Sequence, residues 1–194
     1  MTQLEKPQVK VNVRLADIED IDAVLALHRC YQVDTIAEED RADGFVTTNF
    51  SVEELTALIQ EQGLILAFHD GELVGYVMAA SWQFWSAWPM FQHMISLLPE
   101  TPYGEIAVNC DNSYQYGPVC VHKSVRGHGV LEQMFDFALA HMSQRFDVLI
   151  TFVNHKNPRS FAAHSRKLKL DVVRDFGFNG NQYYWMACPT KRVA

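Results

Sequence analysis

The stretch Val119–Leu131, VCVHKSVRGHGVL, decides the fold. An apolar run typical of a buried strand ends in a basic turn with two glycines, Gly127 and Gly129, and the turn opens directly into an amphipathic helix. Glycine lets the backbone approach a ligand closely, and the first N–H groups of a helix have no partner inside the helix. Lys123 and Arg126 add positive charge at the same place. The stretch therefore predicts a site for an anionic group such as a phosphate.

This turn differs from the two common nucleotide-binding loops. A P-loop needs the pattern GxxxxGK[ST], and a dinucleotide-binding fold needs GxGxxG followed by an acidic residue about 20 positions later. The alternative interpretation is a tight turn between a strand and a helix, with a solvated arginine. The elements on either side of the turn have to distinguish an anion site from a simple tight turn.

Upstream of the turn, the pattern predicts one strand, two helices and a hairpin. Ser51 and Glu54 form a capping box that starts the second helix. Asp70-Gly71 is the turn of the hairpin, because both residues tolerate the positive φ angles that a tight turn requires. The predicted elements are a strand at Val11–Leu15, a helix over Ile18–Tyr31, the helix after Ser51 that ends at Gly63, and the hairpin strands Leu64–His69 and Leu73–Trp82.

Downstream, a strand, a helix and a strand form a βαβ unit whose two strands should be parallel. They are Tyr114–His122, Gly129–Gln144 and Val148–Asn154. Asn157-Pro158 then starts a helix that runs to about Leu168. A second hairpin follows, with strands Val172–Phe178 and Gln182–Cys188 joined by Asn179-Gly180. The segment Gln83–Asn112, rich in aromatic residues and Met, suits either a packed helix or a flap beside a substrate.

These elements predict an α/β fold, an α+β mixed sheet, in one domain over residues 1–194. The composition, with 48% hydrophobic and 20% charged residues, is that of a soluble globular protein. The formal net charge of -7 argues against nucleic acid as a partner, because binding to it requires a surface that neutralises phosphates. A cationic partner fits this charge better.

The longest apolar runs are far shorter than the roughly 20 residues that cross a bilayer, so no membrane span is expected. The N-terminus carries charge and a proline where a secretory signal needs an apolar block, which predicts a cytoplasmic protein. The eight histidines form no HxH or HExxH pattern and no Cys/His cluster, so no metal is expected. The four cysteines, Cys30, Cys110, Cys120 and Cys188, lack CxxC spacing and are predicted to be reduced.

The element order, the turn Arg126–Val130 and the segment Val153–Ser160 together resemble the GNAT superfamily of acyl-CoA-dependent N-acetyltransferases. The first motif of that family is Arg or Gln, two residues, Gly, one residue, and then Gly or Ala. Arg126 and Gly129 fit it, whereas Leu131 occupies the last small position. The start of the later helix, Asn-Pro-Arg-Ser, is similar to the Asn-x-x-Ala helix start of the family. The resemblance implies a GNAT-like fold, with a central sheet of about seven strands flanked by helices.

The resemblance further implies where acetyl-CoA, the co-substrate, would bind. In the family, two central strands separate and the pantetheine arm lies between them, so the amides near Cys120, Val121 and His122 would be free for it, and one of them would polarise the thioester carbonyl. Amides of the turn would hold the pyrophosphate. The implied binding residues are thus Cys120, Val121, His122, Arg126, Gly127, His128, Gly129, Val130 and Asn157.

The family often has a Tyr seven residues after the motif Asn, placed to protonate the departing thiolate. His164 stands there in this sequence. A histidine can give or take a proton at neutral pH, and its spacing from Phe161 and Leu168 predicts a side chain that points inward. The alternative is a core histidine bonded to a neighbouring carbonyl. His164 is the catalytic residue that we predict from the sequence.

The general base stays open among Tyr116, Glu105, Asp111 and His122, and an ordered water is a further alternative. For the acceptor, an acidic loop would attract an ammonium and a tryptophan-rich segment would contact its apolar part. A solvated loop and a core or oligomer contact are the alternative interpretations of these two features. The residues concerned are Glu38, Glu39, Asp40 and Asp43, followed by Trp82, Trp85 and Trp88.

The sequence thus predicts an enzyme that moves an acetyl group from acetyl-CoA to a primary amine of a small molecule or peptide by direct attack. The alternative is a non-catalytic acyl-CoA-binding sensor or subunit on the same fold. A homodimer is common in folds of this kind. The acceptor and the length of the acyl chain are not encoded in any motif of the chain.

Overall fold

A computed structural model describes residues 7–36, 38 and 45–191 of the chain. Its centre is a seven-stranded mixed sheet with the order β1-β2-β3-β4-β5-β7-β6. The predicted mixed sheet of about seven strands is therefore confirmed. The strands are β1 (Asn12–Leu15), β2 (Leu64–His69), β3 (Glu72–Ser81), β4 (Ser113–Val121), β5 (Val148–Asn154), β6 (Asp171–Phe178) and β7 (Asn181–Pro189).

Helices cover both faces of this sheet. They are α1 (Ile21–Tyr31), α2 (Val52–Gln60), α3 (Trp82–Trp85), α4 (Pro89–Leu97), α5 (Val130–Met142) and α6 (Pro158–Ala162). Short 3-10 turns lie at Ile18–Asp20, Leu98–Glu100 and Lys123–Val125. No helix among the described residues is long and apolar enough to cross a membrane.

β4 and β5 are parallel, as the βαβ prediction requires, but they pair only over Ser113–Gln115 and Val148–Ile150. All other neighbouring strands are antiparallel. Beyond Gln115 the two parallel strands separate and leave a gap in the middle of the sheet. We call the point where the pairing stops the fork.

The alternation of side chains along β4 divides the core into two clusters, one on each face of the sheet. Tyr114 and Tyr116 pack with α5 on one face. Gln115 pairs with Ala80 of β3 and with Ile150 of β5, and both partners belong to the cluster on the opposite face. Gln115 therefore lies on the face that α1, α3 and α4 cover.

Three predicted elements differ from the structure in their details. The first helix begins at Ile21, because Asp17 caps a separate 3-10 turn before it. The ambiguous segment Gln83–Asn112 contains the packed helices α3 and α4 rather than an open flap. The helix that starts at Asn157 is α-helical only to Ala162, and residues Ala163–Lys167 form a π-helical turn, which widens the last turn before β6.

Candidate functional site

A cleft of about 500 Å³ opens where β4 and β5 separate. β4, the turn after it, the start of α5 and the α6 region form its walls, and the segment before α2 adds Phe45 and Val46. Six of the predicted binding residues line it: Cys120, Val121, Arg126, Gly127, Val130 and Asn157. His164 lines it as well. The sequence motifs, which are distant along the chain, thus meet in one place.

One end of the cleft suits an anion. Gly129, with φ 81°, is the N-cap of α5 and supplies no side-chain cap, so the first N–H groups of this 13-residue helix are available to a ligand. Four cationic side chains line the cleft in a chain of net charge -7: Arg126, Arg159, Arg166 and Lys167. Among the described residues of the lining, Glu132 is the one that is acidic, and Lys167 pairs with it at 3.2 Å. The charge of these described lining residues is therefore opposite to that of the whole chain.

Arg126 is held in place by Tyr31 of α1. The guanidinium carbon lies 4.6 Å from the centre of the Tyr31 ring, and Nε donates to the carbonyl oxygen of Val121 at 2.8 Å. The Tyr31 hydroxyl accepts the backbone N–H of Lys123 at 2.8 Å. The sequence does not indicate that Tyr31 belongs to the site, since Tyr31 lies 95 positions from Arg126 and its helical spacing predicts only a core residue.

The backbone of β4 offers N–H groups to the gap, though fewer than predicted. The His122 N–H donates to Val74 O of β3 at 2.8 Å, and Cys120 pairs with Tyr76 on the same strand. Because N–H groups alternate in direction along an antiparallel pair, those of Cys120 and His122 point to β3, and those of Val119 and Val121 point to the gap. The expectation of free amides at Cys120 and His122 is therefore wrong, and Val119 was missed.

His164 lies in the π-helical turn and is 9% exposed. Its Nδ1–H donates to Ser160 O at 2.8 Å, so Nε2 is the lone-pair nitrogen of the neutral ring. Burial lowers the pKa of His164, which favours this neutral form. The ring faces Tyr116 edge-on, with centroids 6.4 Å apart. A neutral imidazole with this tautomer accepts a proton before it can donate one.

The Cys120 side chain adjoins a series of hydrogen-bonded groups formed by Tyr76, His28 and Thr48. Burial raises the pKa of the Cys120 thiol to about 12, and this thiol contacts the Tyr76 hydroxyl. That hydroxyl bonds His28 Nδ1 at 2.7 Å, and His28 Nε2 donates to Thr48 O at 2.8 Å. Burial also lowers the pKa of His28. Cys120 therefore stands as a protonated thiol in the wall of the cleft.

Three predicted binding residues lie outside the cleft lining. His122 Nδ1 bonds the hydroxyl of Ser124 at 2.7 Å. His128 donates from Nδ1 to Pro7 O at 2.8 Å, and Gly129 lies against the side chain of Gln8. The N-terminal segment thus covers the outer side of the turn. Asn157 accepts the Ser160 N–H at 3.0 Å and caps α6, as its position in the sequence predicted.

The structure narrows the candidates for the general base. Glu105 and Asp111 are exposed and do not line the cleft, and neither does His122. Tyr116 is fully buried, and burial raises the pKa of its hydroxyl far above the ordinary value, so it stays protonated. Among these groups and His164, only the neutral imidazole of His164 is both at the cleft and able to accept a proton.

The predicted acceptor side is corrected in part. Trp82 and Trp85 are 1% and 0% exposed, and Trp82 Nε1 donates to the Ser113 hydroxyl at 2.9 Å, so both belong to the core. Trp88 is half-buried beside Phe50. Of the acidic cluster, Glu38 is exposed, while Glu39, Asp40 and Asp43 lie outside the described residues.

All four cysteines are free thiols, two exposed and two buried, as predicted. Within residues 7–36, 38 and 45–191, no three His, Cys, Asp or Glu side chains are grouped so that they could hold a metal ion.

Comparison with known proteins agrees with this fold. The family model described as the acetyltransferase (GNAT) family matches residues 24–168. This range contains β2 to β5, α5 and all residues that line the cleft, from Tyr31 to Lys167. The chain therefore belongs to the GNAT family, whose members are acyltransferases.

Solved structures of this family share the fold at low sequence identity. PaiA N-acetyltransferase from Thermoplasma acidophilum, in complex with coenzyme A, is 14% identical, with a TM-score of 0.64 over 93% of this chain and 99% of that one. A phosphinothricin acetyltransferase from Sinorhizobium meliloti, in complex with acetyl-CoA, is 14% identical, with a TM-score of 0.62 over 92% and 88%. An N-acetyltransferase from Staphylococcus aureus Mu50 is 15% identical, with a TM-score of 0.60 over 94% and 99%. No curated protein sequence matches the chain.

Proposed function

We propose that this protein is an N-acetyltransferase that moves an acetyl group from acetyl-CoA to a primary amine. The observation that carries the proposal is the cleft in the gap of the sheet, which combines cationic side chains and the start of α5 with gap-facing N–H groups on β4. A pyrophosphate requires the first, and a pantetheine arm with its amides requires the second. Acyl-CoA carries both groups in one molecule. The relatives solved with coenzyme A or acetyl-CoA support the same ligand.

The binding residues divide into two groups along the cleft. Arg126, Gly127 and the first N–H groups of α5 hold the pyrophosphate. The Val121 N–H donates to the pantetheine arm, while the Val121 carbonyl is already bonded by Arg126. With this order we expect the thioester to lie nearer to Val119 and His164, which also line the cleft. Acetyl-CoA supplies the activated acetyl group.

His164 is the proposed proton-transfer residue. The amine nitrogen bonds to the carbonyl carbon of the thioester, the carbon–sulfur bond breaks, and the electron pair of that bond stays on sulfur. Nε2 of neutral His164 accepts the proton that the nitrogen loses, directly or through one water. The imidazolium then gives this proton to the thiolate, which completes the exchange. The Nδ1–H bond to Ser160 holds the ring in the tautomer that this sequence requires.

Calorimetric titration with acetyl-CoA tests the binding step. We expect saturable binding at micromolar concentration, and no binding at concentrations far above this would refute the proposal. Release of free thiol from acetyl-CoA in the presence of a panel of primary amines tests the transfer. Binding of acetyl-CoA without thiol release for any amine would instead indicate a sensor or subunit that keeps only the binding site.

A further inference from the structure

His28 connects one wall of the cleft to the core of the protein. It lies in α1, is 4% exposed and is not among the described residues that line the cleft. Its Nε2 donates to Thr48 O at 2.8 Å, and its Nδ1 bonds the Tyr76 hydroxyl at 2.7 Å. Thr48 belongs to the segment 45–50 before α2, which supplies two residues to the cleft lining. An effect of His28 on the cleft therefore has to pass through this segment or through Tyr76.

The chemistry of these groups fixes the position of each hydrogen atom. Thr48 O is a carbonyl oxygen and only accepts, so Nε2 of His28 carries the ring hydrogen. Burial lowers the pKa of His28, which keeps the ring neutral, and Nδ1 then holds the lone pair. The Tyr76 hydroxyl donates to this lone pair. Tyr76 therefore holds His28 in the tautomer that bonds Thr48.

The segment 45–50 has little regular structure and relies on contacts with other elements. Val46 forms an isolated bridge with the end of α1. Its N–H donates to Tyr31 O at 2.9 Å, and its carbonyl oxygen accepts the Val33 N–H at 2.9 Å. These two bonds fix the segment at one point and leave the residues after Val46 to be held by other groups.

His28 holds those following residues. Thr48 accepts the Nε2–H of His28, and Phe50 packs edge-on against the imidazole ring with centroids 5.5 Å apart. A half-buried carbonyl oxygen that loses its donor is costly unless it reaches water. Loss of the His28 donor should therefore move Thr48 toward solvent and shift the two lining residues, which lie only two and three positions earlier.

Phe45 is the part of this wall that a ligand would cover. Its side chain is 44% exposed although it is large and apolar. It lines the cleft together with Tyr31, whose ring supports Arg126. Ligand clefts bury apolar lining groups against the ligand. An exposed phenylalanine in this lining therefore suits the apolar parts of a coenzyme whose phosphates lie near Arg126.

We propose that His28 is a positioning residue for coenzyme A: by holding Thr48, it sets Phe45 and Val46 as a wall against which the coenzyme packs. The inference rests on the proposed function and deepens it. His28 itself touches neither the ligand nor the reacting atoms. It takes no part in the proton path of His164, and its contribution is to affinity.

Two replacements of His28 separate the bond to Thr48 from the presence of the imidazole ring. His28→Gln places an amide nitrogen near the position of Nε2, whereas the side chain of His28→Asn is one carbon shorter and does not reach Thr48 O. In calorimetric titrations with coenzyme A, we expect His28→Asn to bind about 3- to 10-fold more weakly and His28→Gln to stay within about twofold of the wild type. His93→Asn, the same change at a half-buried histidine outside the cleft lining, should leave the affinity unchanged.

Three further titrations show whether the effect passes through the wall. Phe45→Ala should bind coenzyme A about 3- to 10-fold more weakly, and His28→Asn added to Phe45→Ala should cause at most about a twofold further loss. A merely structural role of His28 would give the same loss in both backgrounds. Tyr76→Phe keeps the Nε2 bond to Thr48 and should bind within about twofold of the wild type.

Wild-type affinity of His28→Asn, or an equal loss for His28→Gln, would overturn the role of the Thr48 bond. Additive losses for His28→Asn and Phe45→Ala, or a loss for Tyr76→Phe as large as that for His28→Asn, would overturn the path through the wall. Thermal unfolding checks that each variant is folded at the temperature of the titration.

If His28→Asn does not fold, His28→Gln and Phe45→Ala test the proposal together. Retained affinity of His28→Gln with weaker binding by Phe45→Ala is then the expected result, and a loss for His28→Gln or wild-type affinity of Phe45→Ala would overturn it. Failure of the wild type to bind coenzyme A would refute the proposed function as well. Normal binding by the wild type with any of these contrary results refutes this inference alone.

Discussion

Two replacements of Tyr31 separate its hydrogen bond to Lys123 from its ring contact with Arg126 at the anion end of the cleft. Tyr31 is 4% exposed, its hydroxyl accepts the Lys123 N–H at 2.8 Å, and its ring lies 4.6 Å from the guanidinium carbon of Arg126. Tyr31→Phe removes the hydrogen bond and keeps the ring. Tyr31→Leu removes both.

The expected magnitudes differ between stability and affinity. Loss of the acceptor for this part-buried N–H should lower the free energy of unfolding of Tyr31→Phe by about 1 kcal/mol. Its affinity for coenzyme A should stay within about twofold, because the ring still orients Arg126. Tyr31→Leu loses a partly buried cation–π contact of about 1 kcal/mol, which corresponds to roughly fivefold weaker binding.

Urea denaturation measures the free energies of unfolding, and calorimetric titration with coenzyme A measures the affinities. A double-mutant cycle with Arg126→Gln shows whether Tyr31 acts through Arg126. In the Arg126→Gln background, Tyr31→Leu should cause no further loss of affinity, since there is no guanidinium left to orient. An equal loss in both backgrounds, or wild-type affinity of Tyr31→Leu, would refute the reasoning.

Three further predictions concern the turn and the buried histidines. Arg126→Glu should weaken coenzyme A binding by about 10-fold or more in titrations, whereas Lys191→Glu, the same charge change beyond the far end of β7, should leave it unchanged. Gly129→Ala puts a side chain at φ 81° and should lower the free energy of unfolding, measured by urea denaturation, by about 1–2 kcal/mol. An unchanged free energy of unfolding would show that a side chain causes no backbone strain at this position. Burial lowers the pKa of His28 and of His164, so the unfolded chain takes up protons near pH 6.5 that the folded chain does not. The free energy of unfolding should therefore fall between pH 7.5 and 5.5, by up to about 1.4 kcal/mol per pH unit for each histidine, and His28→Asn should show a smaller slope than the wild type.

Local signals in the sequence predicted the elements well. The Ser51 capping box is present, with both of its hydrogen bonds to Glu54. Both hairpin turns form where Asp70-Gly71 and Asn179-Gly180 predicted them, and all four turn residues have positive φ. These features depend on residues within four positions of each other, so the sequence contains the whole of their physical cause.

Contacts between distant segments could not be predicted in the same way. The Tyr31 ring supports Arg126 only because α1 packs beside the end of β4, and no spacing marks that contact. The N–H directions on β4 depend on its register with β3, which sets the His122 N–H on Val74. The alternation of apolar residues cannot fix this register by itself. The sequence therefore could not show that the N–H groups of Cys120 and His122 point to β3.

The π-helical turn could not be predicted from the sequence for a different reason. Leu168 donates to Ala163 O, five residues earlier, so the helix carries one residue more than an α-helical turn. The spacing of apolar residues in a helical sequence does not indicate such a turn. His164 faces inward as the α-helical spacing predicted, because it lies at the start of the wider turn, before the extra residue shifts the register.

The fork between β4 and β5 places two unpaired strand edges inside the sheet rather than at its margins. Unpaired edges are the places where a fold opens and where foreign strands attach. A ligand bound along the gap covers these edges, and at one hundred times its dissociation constant it stabilises the folded chain by about 2.7 kcal/mol. On the proposed function, the coenzyme is thus also a structural component of the sheet. Resistance to proteolysis, and with it the abundance of the protein in the cell, would then follow the supply of coenzyme A.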